Sequence, residues 1–302
     1  MSYSKFDPLV ARARAGATGR KVVAVVAAQD HHTLEAVRQS VSDGVVSAIL
    51  IGAADEIRRQ LAALGENASQ YRIIDVASPV EAAKSAVALI HSGEAHFIMK
   101  GLIQTADLLR VVFSAESGLR TGALMSHLGI VDIPNYPKLI GLTDVAINIA
   151  PSLEQKKAIV ENAVAAMSRM GFEHLKVALL AANEQVNEKM PESVDADALK
   201  RMNRDGWLAE CLIEGPLSYD LAMSRESAEI KGIDSPVCGD ADLLVVPTMT
   251  TGNTLLKALR YSARATSAGI VVGGKAPIVL TSRAVEPIDK YLPLAIAASA
   301  AM

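Results

Sequence analysis

KVVAVVAAQDHHTLEAVRQSVSDGVVSAILIG, residues 21–52, places two β-branched apolar runs, KVVAVVAA (21–28) and VSAILIG (46–52), on either side of an apolar-periodic segment of helical length. Near-continuous apolar runs suit strands buried on both faces, as in a parallel sheet covered by helices. The pattern continues outward. YRIIDV (71–76) and AHFIMKG (95–101) read as the next strands, and KVALLAA (176–182), ADLLVVP (241–247), AGIVVGG (268–274) and APIVLTS (276–282) as later ones. Helices between them carry their own boundary signals: Ser78 as cap, Pro79 at the first helical position, Glu81 three after the cap, and a stop at Gly93. A second capping box, Ser152 with Gln155, starts a helix through Ile159, Ala163 and Met167 that stops near Gly171. Strands alternating with helices predict an α/β fold with largely parallel sheets.

With about 150 residues per domain as a prior, a chain of 302 residues suggests two domains, and 50% hydrophobic residues are ample for two cores. A net charge of −3 argues against nucleic acid as the main partner, because phosphate-backbone binding needs a surplus of Lys and Arg on one face. Cys211 and Cys238 have neither the number nor the spacing of a disulfide framework or a zinc site, so a reducing cytoplasm is expected. The start, MSYSKFDPLVARARAG, lacks an apolar core of signal-peptide length, and no later apolar run reaches about 18 residues. A soluble chain without membrane association is the expectation. No Pro- or Ser-rich linker marks a domain boundary, and the Ala-rich tail LAIAASAAM (294–302) reads as a closing helix.

The chemistry concentrates in APIVLTSRAVEPID, residues 276–289. The apolar run ends at Thr281, which sets Ser282 and Arg283 at the carboxyl end of a strand, where open α/β sheets keep their ligand crevices. A guanidinium held there suits a phosphate, since its planar fork donates two parallel hydrogen bonds to two oxygens. Glu286 and Asp289 follow as candidates for proton transfer.

This turn resembles the signature of the phosphate acetyltransferase and phosphate butyryltransferase family, which exchanges an acyl group between coenzyme A and inorganic phosphate. Further blocks are similar to the family and come in its order: KGLIQTADLLR (100–110), GLRTGALMSHLGIVDIPNYPK (118–138), TDVAINIAP (143–151), NEQVNEKMPES (183–193), EGPLSYDLAMS (214–224), KGIDSPVCGDADLLVVP (231–247) and TGNTLLK (251–257). The blocks SHL, NEQVNEKM and EGPLSYD resemble the butyryltransferase branch more. The resemblance implies two α/β domains of the isocitrate and isopropylmalate dehydrogenase architecture with a cleft between them. The first would hold residues 1–121 and 276–302 and the second 122–275. A homodimer is also implied.

On the acetyltransferase pattern, the resemblance gives Ser282, Arg283 and Asp289 catalytic roles, and Arg110 in TADLLR a second phosphate contact. Two departures stand beside it. The butyryltransferase branch usually carries an Asp three residues after the Ser, where this chain has Val285, and no match is found for an Arg that the acetyltransferases place before the KGL block. The expected substrates are coenzyme A with its acyl thioester, and phosphate with acyl phosphate; no bound cofactor is expected. A coenzyme A thiol has a pKa near that of cysteine, about 8.5, so a carboxylate that takes its proton is useful at neutral pH. Asp289 is the first choice for that base, with Glu286 the alternative.

Thr105, Ser126, His127, Asp144, Asn148, Glu184, Asn253 and Lys257 are further cleft or coenzyme-binding candidates within the familial blocks, although caps and buried hydrogen bonds explain such residues equally well. No histidine has a metal-ligand spacing, so no metal is expected. Gly273-Gly274 matches neither a dinucleotide fingerprint nor a phosphate-binding loop of nucleotide hydrolases. Two other readings stay open: a dehydrogenase of the same architecture, and a non-catalytic family member that binds acyl-CoA.

Overall fold

The computed structural model describes residues 4–16, 19–114, 116, 118–119, 124–280 and 288–301. In chain order the elements begin with α1 (Asp7–Ala15), β1 (Val22–Val26), α2 (His31–Ser42), β2 (Ser47–Gly52), α3 (Ala54–Ala63), β3 (Arg72–Asp75), α4 (Pro79–His91), β4 (Phe97–Lys100) and α5 (Thr105–Phe113). They continue with β5 (Ser126–Asp132), β6 (Ile140–Thr143), α6 (Leu153–Arg169), β7 (Lys176–Leu180), α7 (Pro191–Arg204), β8 (Leu212–Leu217), α8 (Tyr219–Met223), α9 (Arg225–Ile230), β9 (Leu243–Val245) and α10 (Met249–Ser262). The last are β10 (Thr266–Val272), β11 (Ile278–Val279) and α11 (Ile288–Ala300).

The chain divides into two compact units, residues 1–123 with 268–302, and residues 124–267. The family resemblance implies divisions at 121/122 and 275/276. The return to the first unit comes earlier because β10 pairs antiparallel with β11, Val271 opposite Ile278, and is held by the first unit's sheet. No helix separates these two strands, contrary to the alternation expected of AGIVVGG and APIVLTS.

In the first unit the strand order is β3-β2-β1-β4-β11-β10, parallel from β3 to β11. Val23, Ala24, Val25 and Val26 of β1 and all of β4 are buried, as expected for strands covered on both faces. In the second unit the order is β5-β6-β9-β7-β8, with β6, β9, β7 and β8 parallel and β5 antiparallel to β6. Its core joins Ile140 and Leu142 of β6 to Leu244, Leu221 and Val237.

The caps legible in the sequence are present. The Ser78 hydroxyl accepts from the Glu81 N–H at 3.5 Å, and Ser152 with Gln155 forms a reciprocal box, Ser152 N–H donating to Gln155 Oε1 at 2.9 Å. Gly101 ends β4 because a side chain would collide with the first strand: a Cβ there would lie 2.4 Å from the Ala27 carbonyl oxygen. Its N–H donates to the Val26 carbonyl at 2.8 Å, which draws the KGL segment tightly over the end of β1.

Candidate active site

The carboxyl ends of β1, β4 and β11 meet in the first unit, since β4 lies between the other two in parallel register. Lys100 closes β4, is buried, and donates to the Gly101 carbonyl at 3.3 Å. Thr105 opens α5 with its side chain exposed, and Arg110 sits in the last turn of that helix. Arg110 is also exposed and its Nη1 donates to Asp107 Oδ1 at 2.7 Å, a pair three residues apart on one helix. Exposed pairs of this kind contribute about 0–1 kcal/mol, so Asp107 holds the guanidinium only weakly.

Ser282, Arg283 and Glu286 lie outside the described residues, while Asp289 belongs to the first turn of α11. The residue after it, Lys290, is buried. Its Nζ donates to Asp30 Oδ2 at 2.9 Å and to Thr33 Oγ1 at 3.1 Å. Asp30 in turn caps α2 by accepting from the Thr33 N–H at 2.9 Å. Burial works against its carboxylate, but the hydrogen bonds from Thr33 and Lys290 and the Lys290 charge outweigh it and hold the pKa below the ordinary value. The first turn of α11 is thus tied to the carboxyl end of β1.

In the second unit, β5 and β6 run antiparallel with Leu128 opposite Thr143, so the Ser126-His127 pair enters beside the carboxyl end of β6. Ser126 Oγ accepts from Asn162 Nδ2 at 3.1 Å, which also donates to the Leu124 carbonyl at 2.6 Å. His127 is buried and its Nδ1 has no hydrogen-bond partner among the described residues. Burial holds its pKa below the usual histidine value and outweighs the pull of nearby Asp144, so the ring is neutral. Asp144 is committed to its own loop. Its Oδ1 accepts from the N–H groups of Ala146 at 2.8 Å and Ile147 at 3.0 Å, and its Oδ2 from Asn148 Nδ2 at 2.6 Å. A carboxylate so fully used orders its loop. Asn148 Nδ2 also reaches the Met125 carbonyl at 3.0 Å, closing the loop onto the start of β5.

The first turn of α10 packs on the same loop. Asn253 Nδ2 donates to the Val145 carbonyl at 3.3 Å, and a Cβ on Gly252 would stand 2.7 Å from the Asp144 carbonyl oxygen. Ser126, His127, Asp144, Asn148 and Asn253 are therefore brought together. Lys257, one turn further along α10, is exposed, and Glu184 in the loop after β7 faces Lys231 at 3.9 Å. Neither joins that cluster.

Asn162, Lys290, Asp30 and Thr33 were absent from the sequence candidates. Asp30 was readable as a cap three residues before Thr33, but the other contacts span many intervening residues. Among the described residues no group of three His, Cys, Asp or Glu side chains is placed to hold a metal ion. Both cysteines are buried; burial pushes the Cys211 thiol up to about 12 and raises that of Cys238. Such thiols are protonated and poor nucleophiles. No helix among the described residues is long and apolar enough to cross a membrane.

Residues 73–298 match the family model described as phosphate acetyl/butaryl transferase. The chain belongs to that family. It is an acyltransferase. It is 41% identical over 278 residues to a phosphate butyryltransferase of Clostridium acetobutylicum, covering 92% of each chain. It is 40% identical over 278 residues to a phosphate acetyltransferase of Thermotoga maritima, covering 92% of this chain and 94% of that one. The crystal structure of a branched-chain phosphotransacylase from Enterococcus faecalis superposes with a TM-score of 0.83 at 33% identity, over 93% of this chain and 98% of that one. The α/β architecture extends to a dehydrogenase. A 4-hydroxythreonine-4-phosphate dehydrogenase from Burkholderia phymatum matches with a TM-score of 0.57 at 15% identity, over 93% of this chain and 98% of that one, a likeness of fold alone.

Proposed function

We propose that this acyltransferase moves a short acyl group reversibly between coenzyme A and inorganic phosphate, with the turn from Ser282 to Asp289 as its reacting centre. The observation that carries the reading is the sequence of that turn in a member of this family: Ser282 and Arg283 two and three residues beyond Leu280, where the apolar run ends, with Asp289 seven after the Ser. Asp289 takes the thiol proton as coenzyme A attacks the carbonyl carbon of the acyl phosphate, and the carbon–oxygen bond to phosphate then breaks. Arg283 and Arg110 hold the phosphoryl oxygens and offset the charge that builds on the leaving phosphate. The Ser282 hydroxyl orients the reacting groups. Transfer is direct between the two substrates, which fits two cysteines with raised pKa values.

Coenzyme A and phosphate act as substrates, with no bound cofactor. Acyl groups of roughly three to five carbons are favoured over acetyl, although one methylene is worth only about 1–3 kcal/mol in a pocket. SHLGIVDIP (126–134) and NEQVNEKMP (183–191) support this preference, because both are similar to the butyryltransferase branch. The enzyme works in the cytoplasm as a homodimer.

Measuring thiol release from butyryl-CoA and acetyl-CoA with and without phosphate tests the reading. Release that requires phosphate is expected, with the higher kcat/KM for butyryl-CoA. Binding of acyl-CoA without any release would establish the non-catalytic alternative, for which Val285 and the unmatched Arg speak. Sedimentation at working concentration should give twice the mass of one chain, and a single-chain mass would exclude the dimer.

A further inference from the structure

We propose that Lys290 is a positioning residue for the transfer reaction: by pairing with Asp30 it fixes the rotation and register of the first turn of α11, the turn that carries Asp289. The proposal rests on the reading that Asp289 takes the thiol proton. Its starting point is an unusual expenditure of charge. The Lys290 side chain is 3% exposed and that of Asp30 24% exposed, and removing an ammonium from water is unfavourable enough that a well-packed apolar residue is often as stabilising as a buried ion pair. α11 has apolar anchoring in plenty, since Tyr291, Leu292, Leu294, Ile296 and Ala297 are all buried. A charge kept beside them does something packing does not. Apolar contacts hold a helix against a core yet tolerate small slides and rotations, whereas an ammonium set between Asp30 Oδ2 at 2.9 Å and Thr33 Oγ1 at 3.1 Å defines one position.

The anchor at the other end is itself fixed. Asp30 caps α2 through the Thr33 N–H at 2.9 Å, and its carbonyl accepts from the Leu34 N–H at 2.9 Å. It lies four residues beyond Val26, the last residue of β1, the strand paired with β4. Adjacent helix residues differ by about 1.5 Å of rise and about 100° of turn, so whatever holds Lys290 also sets where the Asp289 backbone sits. A misplacement of about 1 Å costs on the order of 100-fold in rate when it separates a proton acceptor from its donor.

The test measures kcat, the KM values for phosphate and butyryl-CoA, and thermal unfolding for Lys290→Met, Asp30→Asn, Asp289→Asn and the Lys290→Met/Asp289→Asn double variant. Lys290→Met is expected to lower kcat about 10- to 100-fold, with both KM values within about threefold of the parent, at temperatures well below its own unfolding. Asp30→Asn should reproduce that loss. It supplies the same comparison should Lys290→Met fail to fold. In the Asp289→Asn background Lys290→Met should add less than about twofold, because the group it positions is already absent. A kcat within twofold of the parent for a folded Lys290→Met or Asp30→Asn enzyme overturns the proposal, as does a loss that multiplies in full in the double variant. Full turnover by Asp289→Asn alone would sink the base assignment itself and this proposal with it. An inactive Asp289→Asn beside an active Lys290→Met removes only the positioning role.

Discussion

Replacing Arg283 by Ala removes a contact assigned to both the ground state and the developing charge, so it should raise the phosphate KM and lower kcat together. Lys at the same position should recover little, lacking the planar fork. Asp289→Asn should depress kcat by roughly 100-fold or more with little change in either KM, the usual range for a lost general base. If Asp289→Asn keeps near-parental kcat while Glu286→Gln abolishes it, the base is Glu286. Arg110 is a candidate only through its TADLLR block. Arg110→Ala should lower kcat/KM for phosphate about tenfold or more, the scale of one charged hydrogen bond. What the sequence left undecided is clearest at Asp144 and Lys290. A conspicuous acid in TDVAINIAP turns out to be occupied by the N–H groups of residues 146–148, while a lysine resembling any surface cation is buried on a partner 260 positions away. Neither fact has a local signature.

Elements were easier to read where a single physical signal dominated. The β-branched runs of β1 and β2, the Ser78 cap of α4 and the capping box of α6 predicted their own positions because each signal is local. β5 and β6 were not singled out as strands, since SHLGIVD (126–132) mixes His, Gly and Asp into a buried stretch whose partner is chosen by the antiparallel register with residues 140–143. β8 was hidden likewise by Glu214, Gly215 and Pro216. The α6 box offers a direct check on cap energetics. Ser152→Ala removes the acceptor of the Gln155 N–H at 3.3 Å and should cost about 1 kcal/mol in urea unfolding, while leaving turnover of the folded enzyme unchanged. A Gly252→Ala substitution on α10 is expected to be worse than its single methyl suggests. Its Cβ would meet the Asp144 carbonyl oxygen at 2.7 Å, in the loop held by the Asn148 and Asn253 contacts, and the Val246 methyl at 2.8 Å, just after β9. Loss of kcat/KM with a lowered unfolding midpoint is the expected pair of results, and an unaltered variant would show that the loop yields easily.

On the scale of the whole molecule, each unit holds a histidine that must stay neutral, and this predicts how stability depends on pH. In the first unit His96 Nδ1 accepts the Val22 N–H at 3.1 Å, a bond only an unprotonated nitrogen can accept, and burial with the nearby Lys21 charge lowers its pKa. In the second unit His127 is lowered by burial against the opposing pull of Asp144. The unfolded chain takes up these protons as pH falls through the ordinary value of 6.5, whereas the folded protein resists doing so. Their contribution is therefore complete above 6.5 and is lost as pH falls through the lower folded values. The carboxylates held low by partners, Asp30 and Asp240 among them, start from 3.8, so their own loss belongs to a more acid window. Urea midpoints should fall between about pH 7.5 and pH 5.5, and His96→Gln or His127→Gln should each flatten part of that fall. The two replacements should add, because the residues lie in separate units with no partner in common. A midpoint that does not change over this range would show that the folded protein accommodates both protons without cost.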